Sequence, residues 1–234
     1  MNKIVAIHQP NFFPWLGYFS KIARSDTFIF LDDVQFPKKG GSWSNRVQLL
    51  IGDRSLWATA AIDRKYQGLR EIREMRFREN DIWRDKIIKS IEANYRRHPF
   101  YEETMSVVEP LLRNTDDSIA EYNIHAVMAI SDKLGLTGCQ GLRSSGFDVA
   151  ETSTGRLCKL TQIVGGNVYL CGGGADGYQD DDVFSMHGVN LLYQDFQHPI
   201  YPQRGQKDFV AGLSIIDAAM NVGWEGICQL IEAD

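Results

Sequence analysis

Residues 4–36 read IVAIHQPNFFPWLGYFSKIARSDTFIFLDDVQF. An apolar run, Ile4 to Ile7, stops at His8-Gln9-Pro10, and an aromatic loop follows. From Trp15 to Ala23 the apolar residues Leu16, Phe19, Ile22 and Ala23 keep helical spacing. A second apolar run, Thr27 to Leu31, stops at Asp32-Asp33. Both runs have strand length and are rich in Val, Ile, Phe and Thr, so the stretch predicts strand–helix–strand, the unit of a parallel sheet. Ligands of parallel sheets bind beyond the carboxyl ends of the strands. His8, Gln9, Asp32, Asp33 and Gln35 all fall there, together with the N-terminus of the intervening helix, whose free N–H groups suit an anion. Each residue taken singly reads as a polar cap on a strand; the set together reads as a site.

Outward from this unit, Pro37-Lys38-Lys39-Gly40-Gly41-Ser42 is a loop. Its two lysines either meet a phosphate or carboxylate or are a solvated basic loop. Trp43 to Leu50, which contains Asn45-Arg46, and Ser55 to Ile62 predict a hairpin turning at Gly52-Asp53. A further strand is expected at Ile72 to Phe77. Helices are expected from Asp81 to Arg97, Tyr101 to Leu112, and Asp116 to Leu134, with Asp116 as N-cap and Gly135 as C-terminal cap. Gly155 to Val164 predicts another helix, capped by Ser153 or Thr154, with Arg156 and the helix amides as an alternative anion site.

The strand Asn167 to Cys171 runs into Gly172-Gly173-Gly174-Ala175-Asp176-Gly177-Tyr178. Three glycines after a strand let backbone amides approach a phosphate or a sugar ring, although the stretch matches neither a Walker A nor a dinucleotide fingerprint. Asp180 to Met186 is a short helical stretch, and Val189 to Tyr193 a strand. Ser214 to Asp217 resembles a capping box that opens a helix, which Gly223 closes. Strand and helix patterns alternate at both ends of the chain, with a helical block between. The expected fold is therefore α/β and mainly parallel, a single domain over 1–234 with a mainly helical insertion at 81–135.

Composition bounds the function. The chain has 234 residues, 44% hydrophobic and 24% charged, with a net charge of −5. Mixed charge argues against a broad nucleic-acid footprint. Cys139, Cys158, Cys171 and Cys228 have no Cys-x-x-Cys spacing, so no zinc site is expected and reduced thiols are the simplest reading. No signal peptide and no membrane-length apolar run is visible, which places the expected protein in the cytoplasm. No activated serine or cysteine stands out. His8 is the candidate general base, because an imidazole titrates near neutrality. Asp32 or Asp33 would orient it or hold Mg²⁺ beside a phosphate.

The run His8-Gln9-Pro10-Asn11-Phe12-Phe13-Pro14-Trp15-Leu16-Gly17-Tyr18 is distinctive, as are Asp26, Leu31 to Phe36, Asn45-Arg46, His198-Pro199-x-Tyr201-x-Gln203 and Leu213 to Asp217. Together they resemble the WbqC-like family over almost the whole chain. The resemblance implies a setting in O-antigen or other bacterial surface-polysaccharide synthesis, and transfer of glycine or another acyl group onto a sugar. On the residues themselves, the expected substrate is a nucleotide-linked amino sugar on the polar edge with Gln9 and Gln35, its phosphates on the helix after Pro14 with Gly17 and Tyr18 and near Lys38 or Lys39, with Asn45 and Arg46 as further donors; Gly172, Gly173, Gly174, Asp176 and Tyr178 would close over the other substrate. The acyl donor would be a thioester, an aminoacyl-tRNA, or a free acid activated by ATP and magnesium.

A more distant similarity is to pantothenate synthetase and its nucleotidylyltransferase relatives, which implies a Rossmann-like unit and an ATP-dependent amide ligase. Those enzymes open the helix with His-x-Gly-His. Here Trp15-Leu16-Gly17-Tyr18 stands in its place and lacks both histidines, which counts against ATP adenylation. A non-catalytic alternative is a sugar-nucleotide-binding or scaffolding module of the same pathway, in which exposed Trp15, Tyr18 and Trp43 would stack on the ligand.

Overall fold

The computed structural model describes residues 2–78, 82–172 and 181–232. The opening stretch forms β1 (Ile4–His8), α1 (Leu16–Ala23) and β2 (Thr27–Phe30). The two strands pair in parallel, with Val5 opposite Thr27 and His8 opposite Phe30. Next comes an antiparallel hairpin of β3 (Arg46–Ile51) and β4 (Arg54–Thr59), turning at Gly52, whose φ is +66°. Three helices follow: α2 (Ile82–Tyr95), α3 (Tyr101–Leu112) and α4 (Ile119–Lys133). The chain then returns to the sheet through β5 (Leu142–Arg143), α5 (Ser153–Ile163), β6 (Val168–Cys171), α6 (Asp181–Met186) and β7 (Asn190–Tyr193), and ends in α7 (Ile215–Glu232).

The main sheet has five strands in the order β5-β2-β1-β6-β7, and every neighbouring pair is parallel. This is an α/β Rossmann-like arrangement. Chain order runs outward from β1 to one edge, then resumes at β6 on the other side. The switch point therefore lies between β1 and β6, where such sheets bind ligands. Both faces are covered, so the strands carry unbroken apolar runs. Ala6, Phe28, Phe30 and Leu170 face the larger core with α1, α4 and α7. Val5, Ile7, Ile29, Tyr169 and Cys171 face a smaller core with Cys158, Leu160 and Phe184. The four cysteines are free thiols. Among the described residues no helix is long and apolar enough to cross a membrane.

Several local expectations are corrected. Ile72 to Phe77 is not a strand but a 3₁₀ turn, Ile72–Glu74, because Glu71 and Glu74 close a reciprocal capping box around it. Arg76 and Phe77 make only isolated bridges, to Ser118 and Ile62. Ser118, not Asp116, caps α4: its hydroxyl accepts from Glu121 N at 3.4 Å, while Asp116 Oδ1 accepts from Ser118 N at 2.9 Å. At α5 neither Ser153 nor Thr154 is the cap; Thr152 holds that position without a side-chain bond. Gly223, non-helical with φ +70° against the Phe100 ring, closes the first segment of the last helix as expected, and a second segment continues past this kink. Ser214 caps Ile216 N, but Asp217 does not complete a box. Its carboxylate instead turns into the core, accepting from Tyr95 at 2.9 Å and Tyr201 at 2.8 Å.

Candidate functional site at the sheet edge

The loop after β1 is held in an uncommon shape from three directions. Phe13 is fully buried yet has φ +41°, a conformation that bulky residues avoid. Its carbonyl accepts from Ser214 Oγ at 2.7 Å, and the Pro14 carbonyl accepts from Ile215 N at 2.8 Å. Phe12 N donates to Trp43 O at 2.8 Å. Asn123 Nδ2 donates to Pro10 O at 3.0 Å and to Ser44 O at 2.7 Å. The start of α7, the hairpin and α4 thus clamp one loop, and this positions His8 at its root.

His8 Nδ1 lies 3.1 Å from the Gln9 carbonyl, which can only accept, so Nδ1 carries the proton and Nε2 presents a lone pair. Tyr18 and Trp15 flank the imidazole edge-on, with centroids at 4.8 and 6.1 Å. Burial, and then the charge of Lys21, lower the imidazole to about 3. His8 is therefore neutral at pH 7.

Lys21 escaped the sequence reading. It lies in α1 with only 3% of its surface exposed. Its ammonium donates to Ile7 O at 3.2 Å and sits 5.9 Å from the Tyr169 ring centre. Burial lowers it to about 8. The signal available in sequence was the shortness of α1: residues 16–22 are all buried, so Ser20 and Lys21 had no water-facing side to occupy. Cys171, at the end of β6, is pushed up to about 11 by burial and is a thiol at neutral pH.

The carboxylates expected to serve His8 are engaged elsewhere. Asp32, 2% exposed, accepts from Ser145 N at 3.0 Å, Ser145 Oγ at 2.6 Å and Ser144 Oγ at 3.1 Å. Asp33 accepts from Ser144 Oγ at 2.5 Å and pairs with Arg156 Nη2. This knot ties the end of β2 to the segment after β5 and to α5. It also answers the expected anion site at Arg156, whose guanidinium is committed to Asp33.

The remaining candidates spread out. Gln9 lies on the rim and its carbonyl also accepts from Tyr18 at 2.9 Å. Tyr18 is buried, contrary to the expectation of an exposed stacking ring. Gly17 has no room for a Cβ, which would come within 2.7 Å of Phe196 and 2.9 Å of Trp15, so packing explains it. Gln35 is exposed and bridges Glu71 through its backbone. Lys38 and Lys39 are exposed on a loop whose carbonyls Arg64 grips at Pro37, Lys38 and Gly40. Asn45 is buried and spends its amide on Ser42 N and Ala60 O, shaping the entry to β3. Arg46 stacks on Trp57 at 4.2 Å. Gly172 lies at the end of β6, beside the switch point; Gly173, Gly174, Asp176 and Tyr178 lie outside the described residues. Trp15, Trp43 and Trp57 form a ladder with centroids 5.1 and 5.0 Å apart, and the latter two are 40% and 41% exposed.

The WbqC-like protein family matches residues 9–229, and the chain belongs to that family. It is 29% identical over 224 residues to the uncharacterized protein Rv1507c of Mycobacterium tuberculosis strain ATCC 25618 / H37Rv, covering 95% of each chain. No solved structure matches.

Proposed function

We propose that this member of the WbqC-like family transfers an acyl or aminoacyl group to the amino group of a nucleotide-linked sugar in surface-polysaccharide synthesis. The observation that carries the reading is the imidazole of His8 at the switch point, its Nδ1 held by Gln9 O so that Nε2 presents a lone pair. As the sugar amine attacks the donor carbonyl, Nε2 takes the amine proton while the N–C bond forms. The donor's C–S or C–O bond then breaks, and the proton passes to the leaving thiolate or alkoxide. A donor of the thioester or aminoacyl-ester class fits this exchange, because it arrives activated. With His8 bonded to backbone rather than to a carboxylate, the chain orients its base through Gln9.

The test is mass spectrometry of an amino-sugar nucleotide incubated with enzyme and donor. Acylation by the wild type and none by His8→Ala, at unchanged circular dichroism, supports the reading; an unchanged rate removes His8 as base. One observation favours a second reading, a binding module without chemistry: the exposed Trp43 and Trp57 rings adjoin Trp15 and provide a stacking platform. Ligand binding with no covalent change in any acceptor would establish that one instead.

A further inference from the structure

The structure assigns Lys21 as the group that grips a phosphoryl moiety of the substrate from beneath the rim. This deepens the functional reading above, since it rests on the β1 end being the site. A lysine ammonium has three donors. In the folded chain one of them meets Ile7 O, at 3.2 Å. No carboxylate among the described residues pairs with it, although only 3% of the residue is exposed. Burying a cation on those terms costs stability, and an apolar residue of the same length would fill the space without that cost. The position therefore needs a reason other than folding.

Geometry supplies one. Long side chains on helices lean back toward the helix N-terminus. Lys21 accordingly carries its charge from the last turn of α1 to the C-terminal edge of β1, one residue below His8. No side chain caps the start of α1, where amides also favour an anion. Among the described residues, the groups facing the ammonium are the His8 imidazole from β1, and the Tyr169 ring and Cys171 thiol from β6. None is an anion at neutral pH. A phosphoryl group has enough anionic oxygens to use the remaining donors, and the dry surroundings strengthen each bond. Lys38 and Lys39, out in water, offer a hydrated and weaker charge.

Binding there also acts on the base. Lys21's charge is one cause of the weak basicity of His8, so an anion beside it makes His8 a stronger base when substrate is seated.

The experiment is calorimetric titration of the full chain with UDP and with uridine, using the wild type and Lys21→Met, between pH 8 and 9.5. UDP phosphate charge is constant there, since its last proton leaves near about pH 6. The wild type is expected to bind UDP and not uridine. Its UDP affinity should fall toward about tenfold per pH unit as the ammonium is lost. Lys21→Met is expected to be as thermally stable as the wild type or more so, and to bind UDP at least about tenfold more weakly. Absence of UDP binding to the wild type, or unchanged binding by Lys21→Met, would each overturn the assignment. If Lys21→Met does not fold, Lys21→Gln, which also removes the charge, decides in its place. UDP bound through Lys21, with no acceptor acylated under any condition, leaves the assignment standing and removes the transfer reading.

Discussion

The ends of β1 and β2 are neighbours in the same parallel sheet, yet their polar residues live in opposite conditions. After β2, Asp32 and Asp33 are surrounded by Ser144, Ser145 and Arg156, and each carboxylate is bonded. After β1, among the described residues, His8 keeps one ring nitrogen without a hydrogen-bond partner and Lys21 holds a buried charge on a single carbonyl. A satisfied polar cluster stabilises and fixes a junction; an unsatisfied one costs stability and is retained where chemistry or binding needs it. The carboxylates thus fix a junction, while His8 and Lys21 are the residues proposed above for chemistry and binding.

That contrast can be broken by exchanging substitutions between the two ends. His8→Ala should lower transfer by about 10²- to 10⁴-fold, the usual worth of a positioned base, with little change in melting temperature. Arg156→Ala should do the reverse. It strips the counter-charge from the largely buried Asp33 and should cost about 3 kcal/mol in urea denaturation, with the rate per folded molecule nearly intact. A folded, inactive Arg156→Ala protein would erase the distinction. Ser145→Ala removes one bond to Asp32 Oδ2 and should cost about 1–2 kcal/mol, again with little effect on turnover.

A separate contrast is in pH dependence. His8 is lowered to about 3 when folded, against 6.5 ordinarily, so between these values the unfolded chain binds the extra proton. Stability should fall as pH falls through that window, and His8→Gln should flatten this slope. Lys21 gives the matching trend at high pH: lowered to about 8 from 10.5, it should let stability rise as pH climbs between them, a rise missing from Lys21→Met. Equal slopes in wild type and variants would show that neither group is perturbed.

Much of the architecture was legible because period and punctuation agreed. The β1–α1–β2 unit, the hairpin at Gly52 and the three central helices follow from apolar spacing with turn residues between. The misreadings share a cause: side chains chose partners distant in sequence. Asp217, in place to complete a cap, instead takes bonds from Tyr95 and Tyr201. Glu71 and Glu74 close on each other and curl what reads as a strand.

The sequence by itself determined the sheet, its parallel sense and the polar edge at His8, because strand and helix periods and their breakers are local properties. Only the tertiary structure decided which edge residues are available. It engaged Asp32 and Asp33 by bringing Ser144, Ser145 and Arg156 from more than a hundred positions away in the chain. It also buried Lys21 beside His8, because a helix as short as α1 packed between layers has no side left for water. Desolvation and partnering are properties of the assembled neighbourhood, and no single stretch of the chain carries them.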